Sequence, residues 1–171
     1  MTVRDVAQQI IAFQQMFPGA TPFQVEFAQP WHFDEATQRR IPFADDIGIY
    51  LYTQPATPNW NLLIHDNVSA VWYIGKSDAA LAGRVWAHVT LIYEPGSRQV
   101  PSPRFKYEQW AQNQKISSAI REAVADGQIT VYTIKITPAG RAPGWPGVIE
   151  KYLLSYFYRA TGALPPLNDT I

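Results

Sequence analysis

The chain has 171 residues, 47% of them hydrophobic and 16% charged, with no cysteine and a formal net charge of zero. That length suits one domain able to bury a core unaided, and the missing thiols exclude a thiolate zinc site, a disulfide framework and a cysteine nucleophile. Neutrality argues against a protein that coats nucleic acid through charge alone, and no apolar run approaches the roughly 20 residues of a membrane span.

Met1 to Phe17 carries Arg4, Asp5 and interspersed glutamines instead of the uninterrupted apolar core of a secretory signal, so a cytoplasmic location is the default expectation. Val3, Val6, Ala7, Ile10, Ile11 and Phe17 recur at helical spacing until Phe17-Pro18-Gly19, which predicts an amphipathic first helix with its apolar stripe on a sheet. Residues 22 to 47 hold Pro22, Pro30 and Pro42 among aromatics and read as extended or irregular chain with room for one short strand. Ile47 to Tyr52 and Ala70 to Lys76 are apolar, aromatic and strand-like, two neighbours joined by a Pro- and Asn-rich connection.

Asp78 to Leu91 places Leu81, Ala82, Val85, Trp86 and Val89 at helical intervals, and a loop with Pro95, Gly96, Pro101 and Pro103 follows. Phe105 to Ala125 reads as a further helix ended by Asp126-Gly127. Ile129 to Thr137 is a β-branched strand with Ile129, Val131, Thr133 and Lys135 on one face and Thr130, Tyr132, Ile134 and Ile136 on the other. Gly140 to Gly147 reads as a loop and Val148 to Ala160 as the last helix, before Gly162 and Pro165-Pro166. Residues 1–46 are expected to pack as an N-terminal extension on a domain of residues 47–171.

Charge is unevenly distributed. Up to Trp72 there are 7 acidic and 3 basic residues, a balance of −4, and from Tyr73 onward 7 acidic and 11 basic, a balance of +4. Arg98, Arg104, Lys106, Lys115 and Arg121 stand in a stretch whose sole acid is Glu108, which reads equally as a polyanion-binding surface or as a solvated helix face and loop.

Strand alternation puts Tyr50 on the face of Gly48 and Tyr73 on the face of Gly75 and Val71, leaving Ile49, Leu51, Trp72 and Ile74 to build core together. A glycine beside each tyrosine leaves room for a phosphate backbone, although standing alone these would be packing aromatics and strand ends. Arg84 and His88, four apart on an otherwise apolar helix, project from one side: the guanidinium is a permanent forked donor for phosphate oxygens, and the imidazole can accept or relay a proton. Glu150, placed in the first turn of the last helix, is a fixed carboxylate of the kind that holds a single magnesium ion, and equally an ordinary first-turn glutamate that complements the dipole.

In this order, Gly48-Ile49-Tyr50, Tyr73-Ile74-Gly75, Arg84, His88, Glu150 and Asn168 resemble the GIY-YIG nuclease family over roughly Ile47 to Asn168. Lys76 follows the second tripeptide as a basic residue often does there, and Leu164-Pro165-Pro166-Leu167-Asn168 is similar to the family's closing segment. The 22 residues from Leu51 to Trp72, and the stretch from Thr90 to Ile149, are longer than the pattern expects, so about 53–69 and 91–128 read as insertions.

The resemblance implies an α+β fold with a small three-stranded, largely antiparallel sheet flanked by helices. It also implies a DNA endonuclease that hydrolyses phosphodiesters with Mg2+ or Mn2+. Glu150 would then be the metal ligand, and Tyr50, Tyr73, Lys76, Arg84 and His88 would share catalysis, with Tyr73 and Lys76 paired as the base. Gly48, Gly75 and Asn168 would brace the site. No second DNA-binding region is visible in the sequence, so a self-contained restriction-type enzyme leads, with a homodimer as the form that cuts both strands. A nonspecific or toxin-type DNase and a non-catalytic nucleic-acid-binding or structural domain are the alternatives.

Overall fold

The computed structural model describes residues 8–9, 11–12, 15–16, 23–32, 42–54, 70–89, 110, 113–125, 128–138 and 144–168, leaving out the side chains at 31–32, 86–89, 124–125 and 138. Most of the first helix, most of both insertions and residues 139–143 therefore lie outside the described residues. The architecture is α+β. Strands β1 (Phe23–Phe27), β2 (Trp31–His32), β3 (Gly48–Thr53), β4 (Val71–Ser77) and β5 (Thr130–Pro138) combine with helices α1 (Leu81–Val89), α2 (Ser118–Ala125) and α3 (Trp145–Thr161).

The sheet runs β1-β5-β3-β4, every pairing antiparallel. β2 also pairs with β5, at Val131 and Thr130, so β1 and β2 lie end to end along one side of it and the five segments make four ranks. This exceeds the expected three-stranded sheet, because the 22–47 stretch supplies a whole rank. The reason is legible: Phe23 is buried while Gln24 and Glu26 alternate into solvent. Pro22 and Pro30 stand outside β1 rather than within it, where a strand tolerates proline.

β5 alternates as its sequence indicates and feeds two cores. Tyr132, Ile134 and Ile136 join Ile49, Leu51, Val71, Ile74 and Phe23 beneath α3, which contributes Ile149, Leu153, Leu154 and Phe157. Ile129 and Val131 join Tyr50, Tyr52, Trp72, Leu81, Val85, Trp110, Ile116 and Leu167 on the opposite face. Each fully buried aliphatic or aromatic side chain contributes on the order of 1.5–3 kcal/mol, so the sheet is held from both sides.

Trp72 departs from the alternation. The register pairs Tyr52 with Tyr73 but Thr53 with Val71, so one residue of β4 is extra and the strand bulges there. The bulge turns Trp72 to the tyrosine face, and Val71 takes the core position expected for Trp72 beside Ile49.

Two helical boundaries also differ from expectation. The Phe105–Ala125 stretch is interrupted at residues 113–117: Asn113 Oδ1 accepts the Lys115 N–H at 3.0 Å, and Ser117 Oγ accepts the Ile120 N–H at 3.4 Å. Short polar side chains that bond nearby amides compete with helix propagation and then cap a new start. α3 begins at Trp145, three residues before the expected Val148, after Gly144 at φ 107°. Pro146 is accommodated because the first helical turn needs no amide donor from it.

At its other end, Gly162 (φ 76°) closes α3 by donating its N–H to Tyr158 O at 2.7 Å. The first helix is represented by helical backbone at residues 8–9, 11–12 and 15, where Gln9 Oε1 accepts from the Tyr152 hydroxyl and Ile11 and Met16 are exposed. No described helix is long and apolar enough to cross a membrane.

Candidate active site

β4 carries Tyr73 near its start and Gly75 and Lys76 near its end, where the Lys76 side chain lies beside Gly147 of α3. The loop before β3 ties α1 in place, since Ala44 and Asp46 carbonyls accept the Ala82 and Leu81 N–H groups, both at 2.9 Å. α1 then packs Leu81 and Val85 into the tyrosine face and leaves Arg84 exposed. His88 lies one turn further along the α1 backbone, and its side chain is outside the described residues.

The tyrosine face is a packed aromatic cluster. Ring centroids of Tyr50 and Tyr73 are 5.8 Å apart, those of Tyr52 and Tyr73 5.4 Å, and those of Tyr73 and Trp110 5.2 Å. Tyr50 is fully buried and Tyr73 half-buried. Burial pushes the Tyr50 phenol well above its ordinary pKa, the neighbouring Tyr52 and Tyr73 add to this, and Arg84 opposes it. Burial does the same to Tyr52. Tyr50 is thus held as a neutral phenol, a proton donor rather than a resting base.

Neither glycine opens the cluster to a substrate. A Cβ on Gly75 would lie 2.5 Å from both the Tyr50 and the Tyr73 rings, and one on Gly48 would lie 2.0 Å from the Ile134 carbonyl oxygen. The space expected for a phosphate backbone is filled by tyrosine rings at Gly75 and by the neighbouring strand at Gly48. Both glycines are required for close packing.

Lys76 does not accompany Tyr73. It pairs in register with Ile49, whose side chain belongs to the α3 face, whereas Tyr73 packs with Tyr52 on the other. The expected Tyr73–Lys76 base pair is therefore split across the sheet. The Lys76 side chain runs along α3, its Nζ 3.4 Å from where a Cβ on Gly147 would lie, and its ammonium is paired with Asp78.

Glu150 is the sixth residue of α3 and lies beyond its first turn, so the dipole argument for its charge loses force. It is half-buried, and desolvation raises its pKa; Lys76 is the strongest opposing influence, Asp78 raises it further, and Arg84 and Lys151 lower it. Lys76, Arg84 and Asp78 thus each bear electrostatically on the Glu150 carboxylate. Asp78, which the sequence analysis places only at the start of the predicted helix, lies in the turn after β4, where Ser77 Oγ accepts the Ala79 N–H at 3.4 Å.

Asn168 reaches back to the outer edge of β4. Its Oδ1 accepts the Ile74 N–H at 2.9 Å, its Nδ2 donates to the Ile74 carbonyl at 2.8 Å, and the adjoining Leu167 N–H donates to Trp72 O at 2.8 Å. Of the basic stretch, Lys115 is exposed and Arg121 half-buried with its Nε enclosed, while Arg98, Arg104 and Lys106 lie outside the described residues.

Among the described residues no three acidic or histidine side chains converge as a metal cage. Glu150 offers a single carboxylate, so a hard cation there would draw the rest of its oxygen shell from water or from a ligand. No protein-family model matches this sequence, nor does any curated protein or solved structure.

Proposed function

We propose that the protein is a divalent-metal-dependent DNA endonuclease of restriction type, its site at the β4 rim. The observation that supports this reading is the packing of the Lys76 side chain against Gly147 of α3, three residues before Glu150, beside a strand edge braced by Asn168. Glu150 would hold Mg2+ or Mn2+, which when bound supplies positive charge at the scissile phosphate and favours deprotonation of a water. Arg84, exposed and permanently charged, engages phosphate oxygens and stabilises the charge that accumulates as the water adds.

Tyr50 stays a neutral phenol packed in the scaffold, leaving His88, one turn beyond Arg84, to accept the proton of the attacking water. Lys115 and Arg121 extend a basic surface toward the DNA backbone, and a homodimer would cut both strands. One observation favours a second reading, a non-catalytic nucleic-acid-binding domain: both tripeptides are packed as scaffold rather than open to solvent.

Nicking of supercoiled plasmid by the purified protein with Mg2+ or Mn2+ tests the proposal. Wild-type protein nicks, and Glu150→Ala and Arg84→Ala abolish it. Undiminished cleavage by Glu150→Ala refutes the metal assignment, and an inactive wild type favours the binding domain. Discrete bands support a restriction-type enzyme, and progressive smearing supports a nonspecific DNase.

A further inference from the structure

The Lys76 side chain has two carboxylates within reach. Its stem lies against Gly147, and Gly147 and Glu150, three apart in α3, share one helical face, so the ammonium runs along the same face as Glu150. It bonds instead to Asp78, two residues away at the end of its own strand. Lys76 nevertheless remains the strongest of the cations acting on Glu150.

An ammonium that closed onto Glu150 would occupy the carboxylate oxygens that a hard cation needs. We infer that Asp78 is a positioning residue: by holding the Lys76 ammonium at the rim it keeps Glu150 available to a divalent cation. This rests on the metal-binding reading of Glu150 given above. Asp78 touches neither substrate nor metal in this role; it acts through Lys76. Both members of the pair are about one-third to one-half exposed (35% and 46%), so the hold is modest and the competition it prevents amounts to about fivefold in cation affinity.

Titration of the full chain with Mn2+, read by the loss of the free-ion electron paramagnetic resonance signal, tests the inference without reference to cleavage. Asp78→Asn weakens Mn2+ binding about fivefold, Asp78→Glu retains it, and the double variant Lys76→Ala with Asp78→Asn binds Mn2+ more tightly than Asp78→Asn alone because the competitor is gone. Wild-type affinity in Asp78→Asn overturns the inference, as does a double variant as weak as Asp78→Asn alone.

A metal-free arm separates this inference from the function on which it rests. In a double-mutant cycle on folding stability, the coupling between Lys76 and Glu150 rises when Asp78 is Asn. An unchanged coupling overturns the inference whatever the metal does. Absence of Mn2+ binding to wild type refutes the metal reading, and the cycle alone then decides whether Asp78 positions Lys76.

Discussion

Asn168 satisfies both backbone groups of Ile74, 94 positions earlier in the chain, accepting its N–H and donating to its carbonyl through one side-chain amide. The amide takes the place of a paired strand at the outer edge of β4 and tethers the chain end to the middle of the second tripeptide. Asn168→Ala leaves both Ile74 groups without this partner and destabilises by about 1–3 kcal/mol. Asn168→Asp is at least as harmful, since a carboxylate oxygen replaces the donor facing the Ile74 carbonyl. Denaturant unfolding midpoints of the three proteins measure the order.

The two tripeptide glycines differ in what opposes a methyl group. At Gly75 the obstruction is two tyrosine rings, which can tilt, so Gly75→Ala costs about 1–3 kcal/mol as overpacking. At Gly48 the obstruction is the Ile134 carbonyl in the neighbouring strand, so Gly48→Ala must displace backbone and costs more. Thermal melts that rank Gly75→Ala below Gly48→Ala in stability refute this account.

The raised pKa of Glu150, caused first by desolvation, gives a signed dependence on pH. Between the ordinary carboxylate pKa and the raised folded value, the native state binds more protons than the unfolded chain. The contribution of this group to stability is therefore complete below the ordinary value and is lost as pH rises through the folded value. Glu150→Gln carries no such loss: it is more stable than wild type at neutral pH, and the difference shrinks toward zero in acid. Parallel urea titrations at several pH values check both the sign and the window.

With Tyr50 a buried phenol and not the base, Tyr50→Phe keeps the ring over Gly75 and reduces plasmid nicking by less than about tenfold, whereas His88→Ala loses the about 10²–10⁴-fold of a general base. Tyr50→Ala also unfolds the cluster, at about 3–5 kcal/mol. A Tyr50→Phe loss as deep as that of His88→Ala reverses the assignment. Measuring both single-turnover rates and melting midpoints separates chemistry from packing.

Much of the fold follows from local pattern. Alternation in Thr130–Pro138 indicates which side chains face which core, and the spacing of Ile149, Leu153 and Phe157 indicates the buried stripe of α3. The candidate site is less legible. Arg84 and His88 share one helix and their relation is local, but the approach of Lys76 and Asp78 to Glu150 joins residues more than 70 positions apart, and no periodicity reports it.

The sequence alone thus determined the succession of most strands and helices, the two faces of β5 and the ordered residues that resemble a nuclease. These depend on repeats of 2.0 and 3.6 residues, which each segment carries within itself. Tertiary structure decided the side of the sheet taken by Trp72, the filling of the space at both glycines and the approach of Lys76 to the helix that carries Glu150. Each of these depends on pairing register or helix docking: a single bulge turns a side chain to the other face, and only the packed neighbours determine what that face touches.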